Sequence, residues 1–337
     1  MVRGSSFGEW AESLAELLAG VRRATRDLLR ASSAAADPAP IDRPVGRGAG
    51  DWTFGLDLPS ERWIDAWLDE RSSEGPISLL TEDRGWRHRG PDGELEGFDH
   101  GGPRIAIDPV DGTRNLMADL RSAWTVVSFA PAGPGPPRLS DLTGGILSEI
   151  PPPSCERVRA LWASEGVCTL EERSGDRTTR VPLRADGDDR ADHGYFPFFR
   201  FDPTLRPDLA LLEARFFARL AHHEGSELDS IFDDQYISNA GQLFLTATGT
   251  YRMVVDARAL VARRAGRATT TSKPYDVAGA ILCARAAGVE LTAADGSELD
   301  FPIDAVTPVD FVAYANAPTR ARLEPHWLSV LGSCDRA

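Results

Sequence analysis

Between Arg104 and Asn115 the chain reads R-I-A-I-D-P-V-D-G-T-R-N, an apolar strand-like run that ends in two carboxylates three residues apart, then a glycine and a threonine. No other string restricts the fold as much. Pro109 has no N–H to give to a sheet ladder, so the strand is predicted to stop at Asp108, with Asp111 brought round beside it by the turn. Two hard oxygen ligands then converge. Gly112 lets the backbone approach a ligand closely, and the N–H groups of Gly112 and Thr113 at the start of a helix suit an anion such as phosphate. A divalent cation would bridge the carboxylates to that anion. Taken alone, Pro-x-Asp-Gly is also ordinary turn chemistry, so the rest of the chain has to decide.

Around this string, strands and helices alternate, which favours a layered α/β architecture over an all-α bundle or a β-sandwich. Ser6 and Glu9 have capping-box spacing, and Phe7, Trp10, Leu14, Leu17, Leu18, Val21 and Leu28 recur at helical intervals. They predict one long amphipathic helix, ending near Ser32, that covers a sheet face. The Ala-, Pro-, Gly- and Arg-rich run from Ala34 to Gly50 reads as a long loop, and a second helix is predicted after Pro59 with Ser60 as its cap. Strands are predicted at Ile77–Leu80, Arg104–Ile107, Ala123–Phe129, Gly145–Ile150 and Val158–Ala163, with Pro151–Pro153 as a hinge. A polar stretch covers Glu171–Asp192. Helices are then predicted at Asp208–His222, Asn239–Thr248 and Asp276–Ala287, strands at Tyr251–Asp256 and Asp310–Ala315, and a hairpin across Asp295-Gly296. No internal repeat is present.

Composition removes several classes of function. With 51 acidic and 37 basic side chains the net charge is −14, which argues against a protein that holds nucleic acid by neutralising phosphates. No stretch reaches the roughly 18 uncharged apolar residues of a membrane span, and the first residues carry no apolar signal segment, so a cytoplasmic location without membrane association is expected. Cys155, Cys168, Cys283 and Cys334 are far apart and form no C-x-x-C pair, so neither a disulfide framework nor a zinc site is indicated. No G-x-S-x-G elbow or H-E-x-x-H pair occurs, and the Gly46–Gly50 run lacks the strand and the G-K-[ST] of a phosphate loop. A haloacid dehalogenase-type D-x-D-G-T would need an aspartate nucleophile two residues before Asp111, where Pro109 stands. The six histidines are scattered, and the pair His222-His223 reads as a helix end.

The string at Asp108–Asn115 resembles the D-P-(Ile/Val)-D-G-T-x-N motif of the inositol monophosphatase superfamily, magnesium-dependent, lithium-sensitive phosphatases that include fructose bisphosphatases and phosphoadenosine phosphate phosphatases. Three further segments follow the family order. Y-D-V-A-G-A-I-L-C-A-R-A-A-G at Tyr275–Gly288 is similar to its (Trp/Tyr)-Asp-x-Ala-(Gly/Ala) helix, L-L-T-E-D at Leu79–Asp83 to its strand ending in Gly-Glu-Glu, and T-F-G-L-D-L-P-S-E at Thr53–Glu61 to its T-x-T-D-x-x-x-E. The resemblance runs from about Asp51 to Ala315 and is weak from Glu156 to Asp234. It implies an αβαβα layered sandwich, with an N-terminal half (residues 1–153) carrying most of the metal site and a C-terminal half (154–337) supplying Asp276 and the substrate wall. Family members are commonly homodimers, so a homodimer is expected.

Carried over by position, the resemblance implies Glu82, Asp108, the Val110 carbonyl, Asp111 and Asp276 as metal ligands. Asp57 and Thr113, with Glu82, would orient and deprotonate the attacking water. Two or three Mg²⁺ ions are implied, with Mn²⁺ as a substitute and Li⁺ as an inhibitor; an all-oxygen ligand set suits Mg²⁺ better than zinc. Charge logic agrees, since an anionic protein needs a cation to receive a phosphate monoester, and attack would be in line without a phosphoenzyme. Substrate contacts are expected from Asp111, Gly112, Thr113, Arg114, Asn239 and Asp256. Arg114, Leu116 and Val289 depart from the usual Thr, Phe and Gly, and Asp256 stands for a longer Glu, so inositol phosphate is not the assigned substrate. Arg114 would either contact a substrate oxyanion or pair with an acidic neighbour. The expected activity is hydrolysis of a small inositol, sugar, nucleotide or amino-alcohol phosphate; the alternative is a non-catalytic member that binds a metal or a phosphorylated metabolite. Each acidic residue also has a bland reading, Asp276 as a first-turn helix residue and Glu82-Asp83 as a solvated loop.

Overall fold

A computed structural model of the chain describes residues 6–34, 41, 43–47, 52–225, 228–267 and 271–334. Helix α1 (Phe7–Ala34) buries Phe7, Trp10, Leu14, Leu17, Leu18 and Val21 of the predicted stripe, while Leu28 is half-buried and Leu29 takes the buried position beside it. At its start the Glu9 carboxylate accepts from both the backbone N–H and the hydroxyl of Ser6, which is one arm of a capping box. Most of the predicted loop at Ala34–Gly50 lies outside the described residues, but Pro44–Arg47 forms a strand, β1, paired antiparallel with β2 (Trp52–Phe54). Helix α2 (Leu58–Ser72) starts earlier than predicted. Pro59 sits in its first turn, where no N–H is needed, so Asp57 rather than Ser60 occupies the cap position, and the Ser60 hydroxyl donates back to the Asp57 carbonyl.

Strands β3 (Ile77–Thr81), β4 (Gly85–Gly90), β5 (Gly93–Glu94) and β6 (Arg104–Asp111) follow, then the short helix α3 (Thr113–Met117). They are succeeded by β7 (Ala123–Ala130), β8 (Gly144–Ile150), β9 (Val158–Ser164), β10 (Val167–Ser174) and β11 (Arg177–Leu183). All except α3 make one sheet in the order β11-β10-β9-β8-β7-β6-β3-β4-β5, antiparallel except where β3 meets β6. The turn at Pro151–Pro153 lies inside this sheet, because β8 pairs with β9 across it. Part of the stretch read as merely polar, Glu171–Asp192, completes a hairpin: β10 and β11 turn at Gly175, and β11 is so exposed that no apolar alternation marks it.

Strand β6 does not stop at Asp108. It bulges through Pro109, its register with β7 slipping between Asp108↔Val126 and Asp111↔Trp124, and Thr125 donates its hydroxyl to the Pro109 carbonyl at 2.9 Å. The bulge absorbs the missing N–H without ending the strand.

The C-terminal part supplies α4 (Arg206–Glu224), α5 (Asn239–Ala247), β12 (Met253–Asp256), α6 (Arg258–Arg264), α7 (Pro274–Ala287), β13 (Glu290–Thr292), β14 (Phe311–Tyr314) and α8 (Ala317–Cys334). A second sheet runs β12-β14-β13, antiparallel. Asp295-Gly296 makes a turn but no hairpin, since β13 pairs with the distant β14. Alternation builds the layers. Ile77, Leu79, Ile105, Ile107 and Val127 pack with α1 and α2, while Leu80, Ala106, Val126 and Leu147 pack with α5 and α7. Val254, Phe311 and Ala313 join that second core, and Met253, Val255, Val312 and Tyr314 pack against α4 and α8. The result is the expected αβαβα sandwich. Its central helix layer sits tightly: a Cβ on Gly279 of α7 would lie 2.1 Å from the Val127 carbonyl of β7, so only glycine fits there. No helix among the described residues is long and apolar enough to cross a membrane.

Candidate metal-assisted active site

The parallel pairing of β3 and β6 sets Leu80 level with Ala106, so Glu82 and Asp108, each two residues further on, come side by side at the same end of the strand pair. The β6 bulge then presents Val110 and Asp111, and the first turns of α2, α3, α5 and α7 point inward. These parts line a cleft of about 400 Å³, the size of a small-metabolite site. Glu82, Asp108, Val110, Asp111, Gly112, Thr113, Arg114, Asn239, Asp276 and Asp57 all line it. Of the expected site residues, only Asp256 does not.

Each acid is held by neutral donors. Asp108 accepts from the Val110 N–H at 2.9 Å, and Asp111 accepts at the start of α5 from the Ala240 N–H at 2.8 Å and the Ser238 hydroxyl at 2.7 Å. Both carboxylate oxygens of Asp276 accept from the Lys273 N–H at 3.0 Å, and Tyr275 hydrogen-bonds to Glu82. Gly112 takes a left-handed φ of 92°, and a side chain there would press on Ser238, so the turn that delivers Asp111 requires glycine. The Thr113 hydroxyl lies 2.7 Å from the Val110 carbonyl and 3.4 Å from an Asp57 oxygen, while the other Asp57 oxygen accepts from the Phe54 N–H at 2.8 Å.

Burial is the dominant electrostatic fact of the site, and crowding of like charge adds to it. Burial, then the charges of Asp111, Glu82 and Asp276, push the Asp108 carboxyl well above the ordinary carboxylate range. Burial and the charge of Asp111 raise Asp276 in the same way. Asp111 is pushed up by burial to about 6, its helix-start donors and Arg258 holding it back. A set of hard oxygen donors that repel one another fits a divalent cation, and contains no nitrogen or sulfur to favour zinc. As the side chains lie, no three such acids, histidines or cysteines among the described residues stand close enough to share one ion. The structure brings the ligand set to one cleft but not into a closed coordination shell.

The substrate side differs from expectation at Asp256. This residue is fully buried, and both its oxygens are taken: Arg258 donates through Nε at 2.8 Å and Nη2 at 2.7 Å, and the Ser272 hydroxyl donates at 2.8 Å. It supports the wall, and Arg258, whose guanidinium carbon lies 4.9 and 4.7 Å from the ring centroids of Phe199 and Phe201, lines the cleft in its place. Arg114 is exposed at the rim, 5.3 Å from the centroid of the Phe54 ring.

Sequence reasoning also passed over two residues with buried polar atoms, Glu61 and Thr271. The Glu61 Oε2, Asn239 Oδ1 and Thr271 Oγ1 atoms are buried in cleft-lining residues without a hydrogen-bond partner, a rarity in native interiors that suits contact with water or ligand. Asn239 was expected there; Glu61 closes the T-F-G-L-D-L-P-S-E string, which was its only signal.

No family model and no curated protein matches the chain in sequence. Solved structures do. The fructose-1,6-bisphosphatase of Leishmania major in holo form superposes with a TM-score of 0.66 at 12% identity, over 95% of this chain and 94% of that one. The extragenic suppressor protein suhB of Bartonella henselae gives 0.58 at 15% identity, over 94% and 98%. Inositol monophosphatase-II of Staphylococcus aureus gives 0.54 at 14% identity, over 97% of each. The chain has the fold of the inositol monophosphatase superfamily, as the motifs at Asp108 and Asp276 implied.

Proposed function

We propose that this chain is a metal-dependent phosphatase that hydrolyses a small phosphate monoester by direct attack of water. The observation that carries the reading is the meeting, in one cleft of metabolite size, of four mutually repelling acids from separate segments with the Thr113–Asp57 pair. Glu82, Asp108, Asp111, Asp276 and the Val110 carbonyl would hold divalent ions, Mg²⁺ foremost, which supply positive charge to phosphate and acidify bound water. The protein's own groups do the remainder. When the Thr113 hydroxyl turns its proton from Val110 to Asp57, the Thr113 oxygen can receive a proton from water in the cleft, with Asp57 as the final acceptor. Gly112 and Thr113 line the same cleft, and their backbone N–H groups would suit phosphate oxygens. Asn239 and Thr271 offer polar contacts to the leaving group, and Arg258 faces it where a polyol-binding carboxylate was expected. The alcohol is therefore of a class other than a simple inositol.

The test is inorganic phosphate release over a panel of sugar, inositol, nucleotide and amino-alcohol phosphates, with Mg²⁺ and with chelator, repeated for Asp108→Asn. Release that needs the metal and is lost in the variant is expected. Release unaffected by the substitution would remove the site, and no release from any substrate would favour a phosphometabolite binder.

A further inference from the structure

A second charged recess lies away from the cleft, between α1 and the far strands of the large sheet. Arg22, Arg23, Arg26 and Arg30 project from one side of α1, and with Arg173 of β10 they border an open depression of about 300 Å³. Arg22 and Arg173 also border an adjoining smaller hollow that reaches Arg180 of β11. Seven arginines thus gather in a protein whose net charge is −14; Arg159 of β9 is paired with Glu149 at 2.8 Å, and only Asp27 and Glu171 are acids in the lining.

The way these cations are held is the informative part. Arg22 donates to the Ser148 hydroxyl at 3.0 Å and the Glu149 carbonyl at 3.5 Å, and Arg26 to the carbonyls of Pro153 at 3.3 Å and Cys155 at 2.9 Å. Neutral oxygens fix the positions of these groups without cancelling their charge. The Arg26 Nε is buried with no hydrogen-bond partner. Arg22, Arg26 and Arg30 follow one another at four-residue spacing, an arrangement of like charges that is unfavourable on an isolated helix. Burial and then the nearby charge of Arg173 pull the Arg22 guanidinium down to about 10, with Arg26 adding to the effect and Glu171 and Glu149 opposing it. Arg30 meets its carboxylates only at 3.9 and 4.0 Å, all of them exposed. Glu171 is shared between Arg180 at 2.8 Å and Arg173 at 3.7 Å.

We infer that this recess is a binding site for a small polyanion carrying two or more linked phosphates, free or attached to a nucleoside. Planar guanidinium forks match phosphate oxygens bidentately, and positions fixed in advance by carbonyls lower the entropy lost on binding. A single phosphate would engage only part of a cluster of cations that spans both α1 and the sheet.

The test is calorimetric titration of the full chain with inorganic tripolyphosphate, and in a second arm with ATP, both in chelator so that the acidic cleft repels the ligand. Arg23→Glu and Arg173→Glu change exposed side chains outside the catalytic cleft, and unchanged melting temperatures would show that both variants fold. One-to-one binding of tripolyphosphate, weakened roughly tenfold or more in the double variant and falling steeply with salt, is expected. ATP binding more tightly than tripolyphosphate at the same arginines would assign the phosphates to a nucleotide; equal affinity would assign them to the free chain. Absence of binding to the wild type, or equal binding by the double variant, overturns the proposal.

Discussion

The acidic cleft and the arginine recess pose one problem on the same sheet, and the chemistry of the charge decides how each can be relieved. In both, side chains of one sign are anchored by neutral dipoles: N–H groups at helix starts hold Asp111 and Asp276, and backbone carbonyls hold Arg22 and Arg26. A buried carboxyl can take up a proton, and burial raises the Asp111 carboxyl to about 6, near neutrality. A guanidinium lowered to about 10 keeps its charge throughout the neutral range. The cleft should therefore respond to pH and to cations, and the recess to salt and to anions.

The largest effect should come from removing one charge at the centre of the cleft. Asp108→Asn is expected to lower Mg²⁺-dependent phosphate release roughly 10³-fold, since a metal contributes several kcal/mol of charge stabilisation. In chelator the same substitution should raise the melting temperature at pH 8, because it relieves repulsion among buried acids. A variant less stable than wild type under those conditions would show that the carboxylates are not in conflict.

Thr113→Val removes the hydroxyl between Val110 and Asp57 and is expected to lower turnover about 10²-fold, the lower end for proton-transfer catalysis. Thr113→Ser should retain most activity. Equal loss in both would assign Thr113 to packing, so the comparison of kcat between the two variants is the decisive measurement.

A third effect concerns pH. Burial first, and the charge of Asp83 next, push the Glu61 carboxyl up to about 7, against the pull of Arg87. Its pKa is raised on folding, so between about 4.5 and 7 the folded chain keeps a proton that the unfolded chain releases, and stability falls as pH rises through that window. Glu61→Gln removes this slope. Denaturant unfolding in chelator at pH 5 and pH 8 should show wild type losing on the order of 2 kcal/mol more than the variant between the two. Parallel losses would mean that Glu61 is solvated or paired.

The two regions also differ in how far they could be read from residues alone. Asp108, Asp111 and Thr113 stand within one string whose local geometry delivers them together, and the Asp276 motif opens a helix, so both lay on the surface of the sequence. The bulge at Pro109 did not, because a proline that ends a strand and one that distorts it look alike until the partner strand is known. Asp256 was misplaced for a similar reason. The family resemblance, which sets it near an acidic residue of the substrate wall, suggested that role, and only the fold shows Arg258, two residues on, claiming its oxygens. Strand β11 presents exposed residues along nearly its whole length and so carries no periodic signal. The recess was invisible in principle: α1 supplies four of its arginines, the β10–β11 hairpin two and β9 one, and nothing local joins them.

The smallest effect tests the other side of the comparison. Arg30 approaches Asp27 and Glu156 only at 3.9 and 4.0 Å, at exposed positions where ion pairs contribute little, and it lies one turn from the like charge of Arg26. Arg30→Ala loses two weak attractions and one weak repulsion, so stability should change by no more than about 0.5 kcal/mol. That small change should be the same at pH 5 and pH 8, since no nearby cation titrates there. A loss above about 1 kcal/mol in urea unfolding would mean that the acids around Arg30 do neutralise it. The recess would then be a set of internal ion pairs, and the contrast with the cleft would disappear.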